Sequence, residues 1–422
     1  MLILSKIEQN KDDYIRLLKI KNFDASDYFK KILELDKERK SLQTKNDDLL
    51  AESNMISKQV GILYKNQQVS EAEQLKSRSL EIRELTKNNL EQLQKIQESI
   101  QKLLLEVPNI PHPSVKSGKD ATDNEIVKQC GKEIESDGMA HWDIATRSGI
   151  IDFETGNKIS GAGFPVYIDK GAKLQRALIN FFLDEATLAG YKEIESPILV
   201  NEDSAYATGQ LPDKDGQMYF VNEDGFYLIP TAEVPLTNIY RDVILGMDQL
   251  PVKLTGYTPC FRREAGSYGK NVRGLNRLHQ FDKVEIVQIT NPELSYLALD
   301  EMVAHVENLI SKLGLTFRIV RLCGSDMSFT SALTYDFEVY SSAQKRWLEV
   351  SSVSNFESFQ SNRMKLRFKD EKGKTQFPHT LNGSALALPR IVAALLENFQ
   401  DKTGIQIPEV LIPYAHFDRI EL

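Results

Sequence analysis

Cysteine is scarce. Cys130, Cys260 and Cys323 are far apart, odd in number and outside any C-x-x-C spacing, so the sequence offers neither a disulfide framework nor a cysteine-based zinc knot. No zinc is expected from the histidines either. His112, His141, His305, His379 and His416 show no ligand spacing, and His279 reads as a hydrogen-bonded structural group. Long apolar runs are missing as well, none approaching the ~20 residues that span a bilayer. At the N-terminus the apolar stretch ends at Leu4, far short of a signal-peptide core, and the mean hydropathy is -0.34. The chain is expected to act in the cytoplasm, without a membrane partner. Two nucleotide-binding signatures are absent: there is no G-x-x-x-x-G-K-[ST], and Gly161-Ala162-Gly163 lacks the third glycine of a dinucleotide fingerprint.

Proline does not occur before Pro108, and Gly61 is the only glycine ahead of it, so a long segment runs almost without structure breakers. Tyr28, Leu35, Leu42, Leu49 and Ile56 recur there every seven residues, which reads as a narrow coiled-coil seam. The period fades over residues 61–70. Ser70 and Glu73 then have the spacing of a capping box opening a second helix, striped by Ile82, Leu85, Leu93, Ile96, Ile100 and Leu103. Two long helices joined by one short turn are expected to fold back as an antiparallel hairpin, each burying its stripe on the other, with an arm about 50 Å long. Periodicity alone does not decide whether such an arm holds copies together or grips a ligand.

With 422 residues the chain exceeds what one core usually organises. The expected division is a helical domain over residues 1–107, a linker over 108–120 carrying Pro108, Pro111 and Pro113, and a larger domain over 121–422. Beyond the linker, β-rich runs at 278–287 and 317–322 alternate with helical patterns at 174–189 and 297–313, predicting an α+β fold. A net charge of -8 speaks against a nucleic-acid partner for the whole chain. Residues 1–107, however, hold 19 Lys and Arg against 18 Asp and Glu, which leaves room for a local RNA-binding face.

The most informative stretch is residues 260–285, CFRREAGSYGKNVRGLNRLHQFDKVE. A loop running through Gly274 precedes an alternating strand that begins near Arg277. Period two puts Arg277, His279, Phe281, Lys283 and Glu285 on one face and Leu278, Val284 and Ile286 on the other. An arginine fork can clamp phosphate, an aromatic ring can stack on a purine, and a carboxylate can read an amine or hydroxyl. Alternation by itself equally describes a solvated strand face.

This stretch resembles motif 2 of the class II aminoacyl-tRNA synthetases in its seryl form, FR-x-EAGS…RG…R-x-HQF-x-K-x-E. Residues 173–200, with Gly190, Tyr191 and Pro197, resemble motif 1. Thr208-Gly209-Gln210-Leu211-Pro212, Thr231-Ala232-Glu233 and Glu349-Val350-Ser351-Ser352 with Ser354-Asn355 are similar to seryl signatures, and Thr380-Leu381-Asn382-Gly383-Ser384 running to Arg390 resembles motif 3. The resemblance covers the whole chain. It implies an antiparallel β-sheet flanked by helices as the catalytic domain, and an N-terminal coiled-coil arm for the tRNA. The implied reaction is activation of L-serine by ATP and transfer to the terminal ribose of tRNA(Ser), with tRNA(Sec) open as a second acceptor. Magnesium is the implied cofactor, and a homodimer through the motif 1 region the implied assembly.

Position by position, the resemblance implies that Arg262 holds the serine carboxylate and the α-phosphate, with Arg277 on the outer phosphates and Glu264 on the adenine amino group. Phe281 and Arg390 would sandwich the adenine. Arg263, Val350 and Ser351 fall within the implied ATP-binding segments, and Glu349 with Ser352 would bind magnesium. Thr231, Ala232 and Glu233 would line the serine pocket, and Glu285, helped by Asn382 and Ser384, would receive the hydroxyl. Arg262, Arg277 and Arg390 form the implied catalytic set.

Three departures stand out. Ala385 and Pro389 replace two glycines of motif 3, with Pro389 expected at the first position of a helix over 391–398. Arg263 stands where a smaller residue is usual. Strict alternation would place Glu349 beside Ser351, so sharing an ion with Ser352 requires the strand to kink. Two other readings use parts of the same sequence: a related ligase charging another carrier, and a catalytically silent RNA-binding paralogue.

Overall fold

In the computed structural model, which describes residues 1–133, 136–265 and 273–422, the chain forms two compact units. One comprises Leu2–Lys19 and Phe23–Pro108; the other comprises Met1, Ile20–Asn22 and Asn109–Leu422.

The first unit is helical: α1 (Leu4–Leu18), α2 (Ser26–Lys65) and α3 (Val69–Glu106). At 40 and 38 residues, α2 and α3 are each about 60 Å long and pack along one another as an antiparallel pair. Gly61 lies inside α2, and the turn is only Asn66, Gln67 and Gln68, with Gln67 at φ +61°. The expected capping box does not form. Val69 is already helical, so Ser70 is one residue inside the helix, and Glu73 instead accepts from Tyr64 Oη across the turn at 2.5 Å.

The seam is broader than the sequence suggested. Tyr28, Leu35, Leu42 and Leu49 are half-buried, while Phe29, Ile32, Asp36, Asn46 and Ile56 are the buried residues of α2. The second heptad line runs through Ile32, Arg39, Asn46, Ser53 and Val60, and three of its members are polar, which hid it from a search for apolar periodicity. On α3, Ile82, Leu93, Ile96 and Ile100 are buried as expected, whereas Leu85 is exposed and Leu104 takes the place given to Leu103. A bidentate pair between Arg78 and Glu52, at 2.8 and 3.0 Å, ties the two helices near their tip.

The second unit is built on an eight-stranded sheet. Its strands are β1 (Glu125–Cys130), β2 (Lys192–Glu193), β3 (Val252–Phe261), β4 (Gln280–Thr290), β5 (Phe317–Arg321), β6 (Leu333–Ser341), β7 (Arg346–Asn355) and β8 (His379–Ala387). Their order across the sheet is β1-β5-β6-β7-β8-β4-β3-β2. Every pairing is antiparallel except the edge pair β2–β3. The α+β expectation holds. β4 begins at Gln280, so Arg277 and His279 stand in the turn before it, not on the strand.

Period two gives the sheet an apolar face carrying Val284, Ile286, Phe337, Val339 and Val353. Long helices cover it: α5 (Lys170–Leu188) on β3 and β4, α7 (Ser295–Lys312) on β7 and β8, and α9 (Leu388–Asn398) on β4, β6 and β7. Each fully buried Phe or Ile here contributes roughly 1.5–3 kcal/mol. Three shorter helices flank the site: α4 (His141–Ser148), α6 (Glu233–Asn238) and α8 (Phe359–Arg363). The departures of motif 3 settle into this frame. Ala385 is buried in the core, and Pro389 takes the second position of α9, where no helical donor is needed.

Candidate active site

The registers bring the polar residues of four strands, β4, β8, β7 and β6, to the face opposite the long helices. Glu285 pairs with Ser384, two residues from Asn382; Asn382 pairs with Ser354, two residues from Ser352; Ser352 pairs with Asp336. Directly paired residues share a face, as do residues two apart, so all six point the same way.

At the centre is a buried cluster. Thr231 Oγ1 donates to Glu285 Oε2 at 3.0 Å and accepts from Lys283 Nζ at 2.9 Å. Lys283 Nζ also lies 2.5 Å from Glu285 Oε2. The Glu233 backbone N–H donates to Thr231 Oγ1 at 3.2 Å, and Gln360 Nε2 donates to Glu233 Oε1 at 2.6 Å. Gln360 sits on α8, where it also donates to the Thr208 carbonyl and accepts from Thr380 Oγ1. Burial, and then the negative Glu285, pushes the Glu233 carboxyl up to about 7. Ala232 contributes its methyl to the small core between α6 and β4.

Beside this cluster, Arg262 Nε donates to the Pro230 carbonyl at 3.3 Å and its guanidinium lies 5.2 Å over the Phe281 ring. His279 holds this corner through its backbone N–H to the Gly163 carbonyl and Nδ1 to the Arg262 carbonyl. That is the structural role expected of it. Arg263 extends its backbone N–H to the Gln217 carbonyl at 2.9 Å, and nothing in the structure explains its bulk. Glu264 adopts φ +47° and pairs with Arg277 at 2.8 Å. The middle of the motif 2 run, residues 266–272, lies outside the described residues. Arg390 reaches over from α9 to the Glu349 carbonyl at 2.6 Å and the Asn276 carbonyl at 3.2 Å.

The kink that Glu349 and Ser352 need is present. Glu338 pairs with Glu349 and Phe337 with Ser351, so Val350 is the extra residue of a β-bulge. The bulge returns Glu349 to the face of Ser352 and Asp336. Val350 is buried in the core and Ser351 Oγ donates to the Ser384 carbonyl at 2.6 Å, so the side chains of these two are engaged elsewhere. Asp336 Oδ1 is buried without a hydrogen-bond partner. Its own burial, and then Glu349, drives that carboxyl well above its ordinary range.

This arrangement has counterparts. Residues 1–111 match the seryl-tRNA synthetase N-terminal domain, and residues 219–399 match the tRNA synthetase class II core domain (G, H, P, S and T). A serine–tRNA ligase of Salinibacter ruber is 48% identical over 424 residues, spanning 100% of this chain and 99% of its own length. One from Chlorobaculum parvum is 44% identical over the full length of both. The seryl-tRNA synthetase from Pyrococcus horikoshii, solved in complex with ATP, superposes with a TM-score of 0.92 at 31% identity, covering 100% of this chain and 99% of that one.

The chain belongs to the seryl-tRNA synthetase family. Within that family's class II framework, sequence reasoning anticipated the residues at the centre of the cluster but passed over three. Lys283 was placed on the correct face without a role, and its ion pair with Glu285 shows only once both are buried. Gln360 and Asp336 reach the site through α8 and the β6–β7 pairing, which local sequence does not signal. Among the described residues, no group of three or more His, Cys, Asp and Glu is set to hold a metal, and no helix is long and apolar enough to cross a membrane.

Proposed function

We propose that the buried Thr231–Lys283–Glu285 cluster, facing Arg262 across one sheet surface, is the serine pocket of this serine–tRNA ligase. The protein is a class II, ATP-using synthetase that serylates tRNA(Ser). Arg262 takes the serine carboxylate and the α-phosphate of ATP. One carboxylate oxygen attacks the α-phosphorus, the bond to pyrophosphate breaks, and seryl-adenylate forms. The carboxylate is already a nucleophile, so no general base is required; orientation and charge neutralisation supply the rate. Arg277 receives the outer phosphates, and Phe281 and Arg390 enclose the adenine, whose amino group meets Glu264. The pairing of Arg277 with Glu264 and of Arg390 with the Glu349 carbonyl holds these two arginines in place until ATP takes over as partner.

Glu233 faces the serine ammonium, and Glu285, with Asn382 and Ser384, faces the hydroxyl. A pocket built to satisfy a hydroxyl rejects alanine, because its buried polar groups would be left unpaired at about 1–3 kcal/mol each. A magnesium ion fits Glu349 and Ser352 beside the unpartnered Asp336 Oδ1, all hard oxygen donors, and would offset phosphate charge there. In the second step a terminal ribose hydroxyl of the tRNA attacks the adenylate carbonyl and AMP leaves. The α2–α3 arm binds the tRNA, largely through phosphate and shape, in the cytoplasm. A homodimer through α5 and the strand after it completes the reading; Leu188, an apolar side chain 81% exposed at the end of α5, supports it.

The test is serylation itself. Incubation of the protein with ATP, magnesium, radiolabelled serine and tRNA(Ser) or tRNA(Sec) should produce acid-precipitable seryl-tRNA. Exchange of pyrophosphate without transfer would move the assignment to a ligase that charges another carrier.

A further inference from the structure

The first turn of α4 has no part in the chemistry above, yet it closes on three consecutive residues just ahead of Arg277. His141 is fully buried, and so is Glu397, two turns after Arg390 on α9. His141 Nδ1 donates to Glu397 Oε1 at 2.7 Å, and its backbone N–H donates to the same oxygen at 3.0 Å. The opposite ring nitrogen, Nε2, accepts from the Leu275 backbone N–H at 2.8 Å. The two partners fix the tautomer: the proton is on Nδ1 and the lone pair of Nε2 points at the Leu275 backbone.

The residues on either side of Leu275 repeat the pattern. Gly274 has φ +68°, and a Cβ there would lie 2.3 Å from His141 Nε2, so the absence of a side chain is what lets the imidazole reach the backbone. The Arg273 guanidinium lies 4.7 Å over the Trp142 ring, with Asp143 at 3.6 Å. Asn276 donates to Gln344 Oε1 at 3.1 Å, and Gln344 Nε2 in turn donates to Glu397 Oε1 at 2.9 Å. The Asn276 carbonyl is the one that Arg390 Nε holds. Arg390 and Glu397 project from the same side of α9, seven residues apart; Arg390 reaches Asn276 directly, and Glu397 reaches Leu275 and Asn276 through His141 and Gln344.

We infer that His141 and Glu397 are positioning residues that lock the backbone of residues 274–277 and thereby set Arg277 and Arg390 for ATP. This rests on the assignment of those two arginines to ATP made above. Neither His141 nor Glu397 touches the nucleotide. Their effect is transmitted through the Leu275 N–H and the Asn276 carbonyl, and it is directed to the nucleotide half of the site and not to the serine pocket.

Two substitutions at one position separate this role from simple packing. In His141→Gln the side-chain amide oxygen can occupy the place of Nε2 and accept from Leu275. In His141→Asn the shorter amide reaches only the place of Nδ1, keeping Glu397 and leaving the Leu275 N–H unpaired. Serine-dependent pyrophosphate exchange on the full chain should show KM for ATP about tenfold higher in His141→Asn, roughly the loss of one buried hydrogen bond, with KM for serine within about twofold. His141→Gln should stay within about threefold of the wild type for both. If His141→Asn does not fold, Arg273→Ala, an exposed change, loosens the same segment and should raise KM for ATP about threefold. An active wild type whose KM for ATP is unmoved in the folded His141→Asn variant, or in Arg273→Ala where His141→Asn does not fold, overturns the inference alone. The same holds if Asn rescues and Gln does not. An inactive wild type overturns the site assignment and the inference with it.

Discussion

Thr231 Oγ1 and Glu285 Oε2 lie 3.0 Å apart, and the same threonine oxygen accepts from Lys283. One hydroxyl thus holds both members of a buried ion pair in position. Thr231→Val keeps the volume and removes that oxygen. It should lower kcat/KM for serine about 10- to 100-fold, as expected for about 1–3 kcal/mol, with KM for ATP within about threefold. Glu285→Gln leaves the Lys283 cation buried without a counter-charge, so it should lose at least as much activity and also lower Tm. Steady-state pyrophosphate exchange with a thermal melt checks both.

Serine binding should depend on pH through Glu233. Burial, reinforced by Glu285, raises this carboxyl from 4.5 to about 7. A carboxyl raised in the fold is held protonated by it, so its contribution to stability is present below 4.5 and lost as pH rises through 7. The serine ammonium requires the charged form. KM for serine should therefore fall about tenfold per pH unit below 7 and level off above it. Glu233→Gln should bind serine more weakly and with a flat profile over the same range.

Asn46 is 2% exposed in the helical arm and its Oδ1 has no hydrogen-bond partner. Replacing it with leucine removes an unsatisfied polar group and adds apolar contact on the seam. Asn46→Leu should stabilise the arm by about 1–2 kcal/mol, read as slower amide hydrogen exchange along α2.

The arm should matter to tRNA and not to adenylate formation. Glu52 and Arg78 face each other near the tip, so joining residues 50 and 80 through a short glycine-rich turn in place of 51–79 keeps the facing residues below in register. Serylation at limiting tRNA should fall by a hundredfold or more, while serine-dependent pyrophosphate exchange stays within about twofold. Loss of salt sensitivity in the residual serylation would accompany it.

Much of this architecture was legible because its signals are local. The arm announces itself by having no proline and one glycine over its length, and Ile82, Leu93, Ile96 and Ile100 stand at helical spacing. What escaped depends on the partner. Arg39, Asn46 and Ser53 occupy seam positions that only the opposing helix reveals. Ser70 and Glu73 have the spacing of a cap but begin one turn position too late, because Val69 already continues the helix. In the sheet, no residue type marks Val350 as a bulge, yet the bulge decides which side chains join Glu349. Arg277 and His279 alternate like strand residues but precede the strand, since the turn through Gly274 and Leu275 is clasped from α4. Gln360 acquires its role through Glu233, 127 positions away, Asp336 through the strand pairing that sets it beside Ser352, and Lys283 only once Thr231 and Glu285 are buried around it.

The most direct test of the account is amino-acid-dependent exchange of pyrophosphate into ATP, with magnesium and without tRNA, comparing serine with alanine, threonine, glycine and cysteine. The account predicts exchange driven by serine, with alanine lower by a hundredfold or more, as a hydroxyl-satisfying pocket demands. Equal exchange with alanine, or none with serine from folded protein, would contradict the assignment of Thr231, Lys283 and Glu285 to the serine hydroxyl.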